Sequence, residues 1–267
     1  MPAAVLVRST ALALLLAAAG APALAQAPQA QPAPPAAAFE PQSGQAGKDV
    51  IWVPTPQALV DKMLDMAKVT PNDFVMDLGS GDGRTVITAA KRGARAMGVE
   101  YNPDMVELSR RNAAQEGVSA KATFVKADLF ETDFSRATVI TMFLLPTINL
   151  KLRPKILNLK PGTRIVSNSF TMDEWTADET AVLGAAFDCT SFCTAYYWVV
   201  PAKVAGSYKV AQGELVLKQT FQMLSGTLTT DGRAVPVEGK VIGEEILLAG
   251  GGRNYRGRFQ GKTLELR

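Results

Sequence analysis

The residues best suited to chemistry lie in one short run, Asp77-Leu78-Gly79-Ser80-Gly81-Asp82-Gly83. Glycines at alternate positions let the backbone turn sharply and approach a ligand where a Cβ atom would collide. A dinucleotide-binding fingerprint places its third glycine one residue later, where Arg84 stands. The run therefore predicts a ligand-binding loop, and its spacing disfavours NAD and, with it, a dehydrogenase.

Two further acids end the next two apolar segments of the chain. Glu100 ends the first and Asp128 ends the second. A carboxylate in the position of Glu100 can accept both hydroxyls of a ribose, as in nucleotide-binding sheets. Asp128 can reach an adenine amino group. Together with Asp77 these acids predict a nucleoside-binding site, and the alternative is three unrelated loop carboxylates.

The elements that would position these acids alternate in type between Trp52 and about Val200. Apolar spacing predicts helices at 57–67, 84–92, 103–116 and 148–157, and strands at 73–78, 96–100, 122–126, 138–143, 163–167 and 195–200. Such alternation indicates an α/β fold with a Rossmann-like, doubly wound parallel sheet, and ligands bind at the carboxyl ends of its strands. After Pro201, short segments separated by glycine turns predict a small all-β meander of five or six strands, a barrel or a sandwich.

The first residues of the chain predict export. Residues 1–25 have the pattern of a cleaved signal peptide, with Arg8 ahead of an apolar stretch and Ala23-Leu24-Ala25 at its end. Residues 26–45 are rich in Ala, Pro and Gln and predict a disordered linker. We therefore expect a periplasmic protein without a stable membrane span, or alternatively one tethered by an uncleaved signal. The two domains are predicted at 46–203 and 204–267.

Composition excludes several kinds of site. The 267 residues include no histidine, which rules out histidine-dependent triads and histidine metal ligands, and we expect no metal. The two cysteines, Cys189 and Cys193, could pair in an oxidising compartment or remain as two buried small side chains. The formal charge of +3 is too small, and the basic residues too scattered, to predict a nucleic-acid partner.

The stretch 75–103, VMDLGSGDGRTVITAAKRGARAMGVEYNP, resembles class I (seven-strand) methyltransferases that use S-adenosyl-L-methionine. It is most similar to the lysine methyltransferases that modify ATP synthase and to their archaeal relatives. The similarity extends over about residues 50–180 and includes KADLF (126–130), FLLP (143–146) and PGTRIVSNSF (161–170). The resemblance implies that S-adenosyl-L-methionine is the cofactor.

The resemblance also implies a role for each residue of the predicted site. Around the methionine part it places Asp77, Gly79 and Gly81, with Ser80 and Asp82 completing the loop and Thr55 at the end. Around the nucleoside it places Glu100 at the ribose, Tyr101 or Asn102 near the adenine, and Asp128 with Leu129 at the adenine rim. Trp52 is a candidate lid or substrate wall, or else a buried aromatic residue of the core.

Three features depart from the family pattern. The segment Thr141 to Pro146 lacks the Asn/Asp-Pro-Pro-Tyr motif of enzymes that methylate nucleobases or glutamine. The signal peptide and the β meander also lie outside the resemblance. We therefore expect a methyltransferase whose acceptor is a protein lysine or a small molecule, without assigning a catalytic residue. The alternative is a non-catalytic exported binding module on the same scaffold.

Overall fold

The computed structural model describes residues 39–187 and 189–267 of the chain. The predicted signal peptide, and the part of the predicted linker before residue 39, lie outside the described residues. No helix in the described ranges is both long and apolar enough to span a bilayer.

The first sheet carries the glycine loop and is covered on both faces. Its seven strands are β1 (Phe74–Leu78), β2 (Arg95–Glu100), β3 (Ala122–Lys126), β4 (Val139–Met142), β5 (Arg164–Asn168), β6 (Glu179–Val182) and β7 (Thr194–Val199). They are arranged in the order β3-β2-β1-β4-β5-β7-β6. Strands β1 to β5 run parallel, and β7 is antiparallel to both β5 and β6. The predicted α/β class is thus confirmed.

Four helices pack on this sheet. They are α1 (Gln57–Met66), α2 (Arg84–Lys91), α3 (Pro103–Gln115) and α4 (Pro146–Ile156), and a short 3-10 helix follows at Ala185–Phe187. Helices α1, α2 and α3 contribute to one buried cluster, while α4, Trp175 and Trp198 contribute to the other. Asn102 caps α3, since its side chain accepts a hydrogen bond of 2.9 Å from the Asp104 amide.

The C-terminal sheet is an antiparallel meander in which every strand pairs with its neighbour in sequence. Its strands are β8 (Gly206–Val210), β9 (Gly213–Thr220), β10 (Met223–Thr230), β11 (Arg233–Ile242), β12 (Glu245–Gly250), β13 (Arg253–Gln260) and β14 (Thr263–Leu266). The predicted five or six strands are therefore corrected to seven. The miscount arises because β8 is a short strand with no fully buried residue, so its alternation is weak.

The meander curls around its own apolar core and brings its ends together. Inward-facing residues such as Leu217, Leu228 and Ile246 form one buried cluster. Strand β14 lies next to β8, and the Gln212 side chain donates a hydrogen bond of 3.2 Å to the Leu266 carbonyl. Of the two predicted forms, this arrangement is that of a small barrel rather than two facing sheets.

The barrel is attached to the first sheet through the turn between β9 and β10. The Phe221 ring stacks on Trp175 with ring centroids 6.3 Å apart. The Gln222 side chain donates a hydrogen bond of 2.7 Å to the Thr176 carbonyl. This contact lies on the α4 face of the sheet, and no residue of the barrel lines the cavity at the glycine loop.

Candidate active site

The glycine loop connects β1 to α2 and is fixed by backbone bonds to β2. The amides of Gly79 and Ser80 both donate to the Val99 carbonyl, at 2.9 and 3.1 Å. Gly79, Gly81 and Gly83 have φ angles of +79°, +53° and +84°. Residues with a Cβ atom disfavour these angles. A Cβ atom on Gly81 would also lie 2.5 Å from Nε1 of Trp52. The loop conformation therefore requires glycine and brings bare backbone to the cavity.

Asp77 lies buried near the end of β1, two residues before Gly79. Its Oδ1 accepts a hydrogen bond of 2.7 Å from the Thr141 hydroxyl on β4. Burial raises the pKa of Asp77 to about 7, against the lowering effect of the Thr141 hydroxyl. The negative charges of Asp82 and Glu100 raise this pKa further. The site thus holds a carboxylate that is costly to ionise until a cationic group binds beside it.

Glu100, at the end of β2, organises the loop from the neighbouring strand. One carboxylate oxygen accepts from the Gly81 amide at 3.0 Å, and the other accepts from the Asn102 amide at 2.9 Å. Each oxygen is oriented by a backbone N–H, so the carboxylate has a fixed position in the cavity wall. This is the strand-end position at which nucleotide-binding sheets hold a ribose.

Asp128, at the opposite rim, is engaged in an ion pair. It pairs with Lys48, whose ammonium group also lies 4.7 Å from the centre of the Tyr101 ring. The hydrogen bond from Lys48 holds the pKa of Asp128 below its ordinary value, and the same bond raises the pKa of Lys48. The ion pair joins the two sides of the cavity where the adenine is predicted to lie.

All of the predicted cofactor residues line one cavity. They are Thr55, Asp77, Gly79, Ser80, Gly81, Asp82, Glu100, Tyr101, Asn102, Asp128 and Leu129. The structure therefore brings together the residues that the sequence placed at separate strand ends, as expected for the carboxyl edge of a parallel sheet.

Two of these side chains bond to other residues of the protein, and a third faces the neighbouring strand. The buried Ser80 hydroxyl faces Gly98, where an added Cβ atom would lie 2.4 Å from it. The Asp82 carboxylate binds the Arg84 guanidinium, with NH2 and Oδ2 2.6 Å apart. The Thr55 hydroxyl accepts a hydrogen bond of 3.2 Å from Asn168. These residues shape the cavity from its wall.

One part of the cavity wall was not anticipated from the sequence, namely a small hairpin formed by residues 44–52. The Gly44 amide donates to the Trp52 carbonyl at 2.8 Å, and the Trp52 amide donates to the Gln45 carbonyl at 2.9 Å. Lys48 lies in its turn and Trp52 at its base, and both line the cavity. Trp52 is the part of this wall that the sequence anticipated, since it is a candidate lid or wall residue.

Three phenylalanines also line the cavity, beside strands β4, β5 and β7. They are Phe143, Phe170 and Phe192, and their rings contact one another. Phe143 and Phe170 lie within motifs shared with the family, which is the signal that would have found them. Phe192 has no such signal and lies between Cys189 and Cys193, which form a disulfide with Cα atoms 5.7 Å apart.

The sheet order, the glycine loop and the strand-end acids define a methyltransferase that uses S-adenosyl-L-methionine. Residues 77–179 match the ANTKMT methyltransferase domain. A protein-lysine N-methyltransferase of Saccharolobus islandicus is 47% identical over 133 residues, which are 49% of this chain and 83% of that protein. A human lysine N-methyltransferase of ATP synthase is 33% identical over 162 residues, covering 56% of this chain and 69% of that protein. The chain therefore belongs to this family of methyltransferases.

A solved structure supports the same fold and cofactor. It is described as an RNA methyltransferase from Salinibacter ruber in complex with S-adenosyl-L-homocysteine. It is 45% identical to this chain, superposes with a TM-score of 0.52, and aligns over 57% of this chain and 96% of its own. The cofactor of this chain is S-adenosyl-L-methionine. The three glycines of the loop, which lack Cβ atoms, and the fixed Glu100 carboxylate fit its methionine and ribose parts.

Proposed function

We propose that the chain transfers a methyl group from S-adenosyl-L-methionine to the ε-amino group of a protein lysine. The observation that carries this proposal is the likeness to two lysine methyltransferases, each matched over more than two thirds of its length. The acceptor side of the cavity is compatible with it. Beside the glycine loop, the ends of β4 and β5 bring the apolar residues Leu144, Phe143 and Phe170 into the cavity wall.

We propose further that the lining residues divide the cofactor between them. Asp77 and the backbone of Gly79 and Gly81 would hold the methionine part, and Glu100 would hold the ribose hydroxyls. Asp128 and Tyr101 would border the adenine. When bound, the cofactor supplies a methyl group on a positively charged sulfur, and this group is already activated for displacement.

The chain's own contribution is positioning and desolvation. A lysine must lose its proton before its nitrogen can attack, and an apolar surrounding lowers the pKa of an amine by disfavouring the charged form. The phenylalanine-lined wall provides such a surrounding. Holding the amine in line with the methyl group supplies much of the acceleration, so a chain without histidine can perform the reaction.

Methyl-labelled cofactor tests the acceptor class directly. The purified chain is incubated with an envelope extract, and separately with poly-L-lysine or poly-L-arginine. We expect label in poly-L-lysine and N-methyllysine in the hydrolysed extract, with no label in poly-L-arginine. Label that disappears with ribonuclease would indicate a nucleic-acid acceptor and contradict the proposal. Cofactor binding without any transfer would favour the non-catalytic binding module.

Glu100→Gln tests the cofactor site separately from the acceptor. An amide at this position directs an NH2 group at one of the two backbone donors, so the carboxylate geometry and the loop are both disturbed. We expect at least about tenfold weaker binding of S-adenosyl-L-homocysteine in calorimetry. Glu107→Gln, on the exposed face of α3, is the matched control and should bind as the wild type does. Equal affinity of all three proteins would contradict the assigned role of Glu100.

We also propose that the protein acts outside the cytoplasm. The signal-peptide pattern of residues 1–25 supports this location, and so does the Cys189–Cys193 disulfide, because disulfides persist in oxidising compartments. Fractionation of the native cell is the test. Recovery of the shortened chain with periplasmic proteins is expected, recovery with membranes would indicate an uncleaved tether, and a full-length cytoplasmic chain would contradict export.

A further inference from the structure

The three phenylalanines of the cavity form a single contact cluster, which we call the aromatic wall. Phe143 directly follows β4, Phe170 lies two residues after β5, and Phe192 lies two residues before β7. The ring centroids are 5.2 Å apart for Phe143 and Phe192, 6.0 Å for Phe143 and Phe170, and 6.3 Å for Phe170 and Phe192. Because β7 runs antiparallel to β5, its beginning meets the ends of β4 and β5 at the same edge of the sheet.

The position of this wall follows from the order of the strands. Asp128, Glu100 and Asp77 lie at or within two residues of the ends of β3, β2 and β1, so the cofactor residues occupy one half of the sheet edge. The aromatic wall occupies the other half, beyond β1. An acceptor that approaches the methyl end of the cofactor from the side of β4 and β5 would contact this wall.

Two members of the wall lie at or directly after a residue with an unfavourable backbone conformation. Phe192 itself has a φ angle of +55°, which is rare for a bulky side chain. Ser169, directly before Phe170, has a φ angle of +60°, and the Phe170 amide donates across it to the Asn168 carbonyl at 2.7 Å. That bond closes a strained three-residue turn. Strained backbone persists where the surrounding structure imposes it, and it is concentrated at functional sites.

The Cys189–Cys193 disulfide encloses Phe192. It closes a short loop whose one aromatic residue projects onto Phe143 and Phe170. The side chain of Phe192 nevertheless remains 41% exposed, so burial alone does not explain its position. A large apolar ring kept at the mouth of a cavity against its backbone preference is expected to contact something that enters there.

We propose that Phe192 is a specificity-determining residue for the methyl acceptor, and that the Cys189–Cys193 disulfide is the positioning element that holds it. The chemistry of the aromatic wall suits a lysine side chain, because the methylene groups of the lysine can pack on the ring faces while the amine is brought to the methyl group. A carboxylate or phosphate would be disfavoured there. This inference rests on the proposed lysine specificity, and it names Phe192 as the residue that contacts the acceptor side chain.

A pair of ligands separates the acceptor side from the cofactor side. One is S-adenosyl-L-homocysteine, and the other is the same molecule with an aminobutyl arm added on the sulfur, where the transferred methyl group would be. The added arm makes the sulfur cationic and reaches toward the acceptor. Calorimetry with the full chain measures both affinities for each variant. The charge on the sulfur is the same for every variant, so the change in the ratio of the two affinities between wild type and variant reports the acceptor side, and it needs no catalysis.

We expect Phe192→Ala to lose about tenfold in affinity for the ligand with the arm and less than about twofold for S-adenosyl-L-homocysteine. The double variant Cys189→Ser/Cys193→Ser should show the same selective loss to a smaller degree. Phe192→Tyr, which keeps the ring, should retain the gain from the arm. Phe187→Ala removes an exposed ring nearby in the same connection that does not line the cavity, and it should leave both affinities unchanged.

The outcomes distinguish this inference from the proposed function. If the wild type gains affinity from the arm and Phe192→Ala keeps that gain, the role of Phe192 is refuted while lysine specificity stands. If the wild type binds S-adenosyl-L-homocysteine and gains nothing from the arm, lysine specificity fails and this inference fails with it. An equal loss for both ligands in Phe192→Ala would show a general structural effect and would also overturn the proposal.

Discussion

The substitution Asp77→Asn should stabilise the ligand-free protein at neutral pH. The carboxyl group is buried beside the glycine loop and is close enough to Asp82 and Glu100 to feel their charges. Asparagine keeps the size of the side chain and keeps an oxygen that can accept from the Thr141 hydroxyl, while it removes the ionisation. Because the geometry is retained, the change isolates the free energy of placing a negative charge at this position.

The magnitude follows from the pKa of this group. Burial raises the pKa of Asp77 from 3.8 to about 7. At about 1.36 kcal/mol per pH unit, this rise opposes folding by up to about 4 kcal/mol once the group is ionised. The sign is fixed by linkage, since the folded protein holds a proton that the unfolded chain releases between these two values. The stabilising contribution of the protonated group is therefore full below about pH 4 and is lost as the pH rises to about 7.

Denaturant unfolding of both proteins between about pH 4 and pH 8, without ligand, is the assay. The difference in the free energy of unfolding should be small near the low end and should grow to between about 1 and 4 kcal/mol in favour of Asp77→Asn near neutral pH. Glu214→Gln, an exposed carboxylate on β9, is the matched control and should show no such trend. A variant that is less stable than the wild type throughout, with a difference independent of pH, would refute the reasoning.

The same substitution should weaken the binding of S-adenosyl-L-methionine. The methionine part of the cofactor carries positive charge, and it attracts an ionised Asp77 beside it. This attraction offsets the free-energy cost of burying the carboxylate. We expect the affinity of the wild type to rise with pH up to about 7 and the affinity of Asp77→Asn to vary less. A stabilised variant with reduced cofactor affinity is the result that links the buried charge to function.

Three further substitutions test other features of the site and the fold. Ser80→Ala removes a buried hydroxyl that has no hydrogen-bond partner among the described residues, so it should change the free energy of unfolding by less than about 1 kcal/mol and leave cofactor affinity unchanged in calorimetry. Gly81→Ala adds a Cβ atom 2.5 Å from Nε1 of Trp52 at a φ angle of +53°. It should therefore lower Tm and weaken the binding of S-adenosyl-L-homocysteine by at least about tenfold. Phe221→Ala removes the ring stacked on Trp175 and should cost about 1 to 3 kcal/mol in denaturant unfolding without altering cofactor affinity. Wild-type cofactor affinity in the second variant, or a weakened one in the first or third, would contradict the assigned positions.

The part of the fold that could be predicted from the sequence is the part with strong local signals. Strand β1 is a short apolar segment followed by alternating glycines, and α3 begins with an asparagine cap and a proline. Strand β6 escapes prediction for the opposite reason. It has only four residues, all exposed or half-buried, at the edge of the sheet. An edge strand held by backbone bonds to one neighbour has no hydrophobic alternation to reveal it.

Part of the candidate site could likewise be predicted from the sequence, and part could not. The strand-end acids were predictable because the carboxyl ends of parallel strands meet at one edge, whatever their separation in sequence. The pairing of Lys48 with Asp128 joins residues that are 80 positions apart, and neither side chain carries a local signal for it. The direction of the Ser80 hydroxyl was equally hidden, because it depends on the space that Gly98 leaves in the adjacent strand.

These limits bear on how acceptor choice evolves on this scaffold. The family match covers residues 77–179, which contain the glycine loop and all three strand-end acids. Two segments that complete the cavity lie outside it, namely the hairpin 44–52 and the disulfide loop 189–193. Lys48 of the hairpin pairs with Asp128 at the predicted adenine end, so we infer that the disulfide loop is the segment that adapts the acceptor side. Since the disulfide loop contributes an aromatic ring directly to the cavity, exchanging that loop should alter acceptor preference without loss of cofactor affinity. If the exchange changes cofactor affinity and leaves acceptor preference unchanged, the disulfide loop does not determine the acceptor.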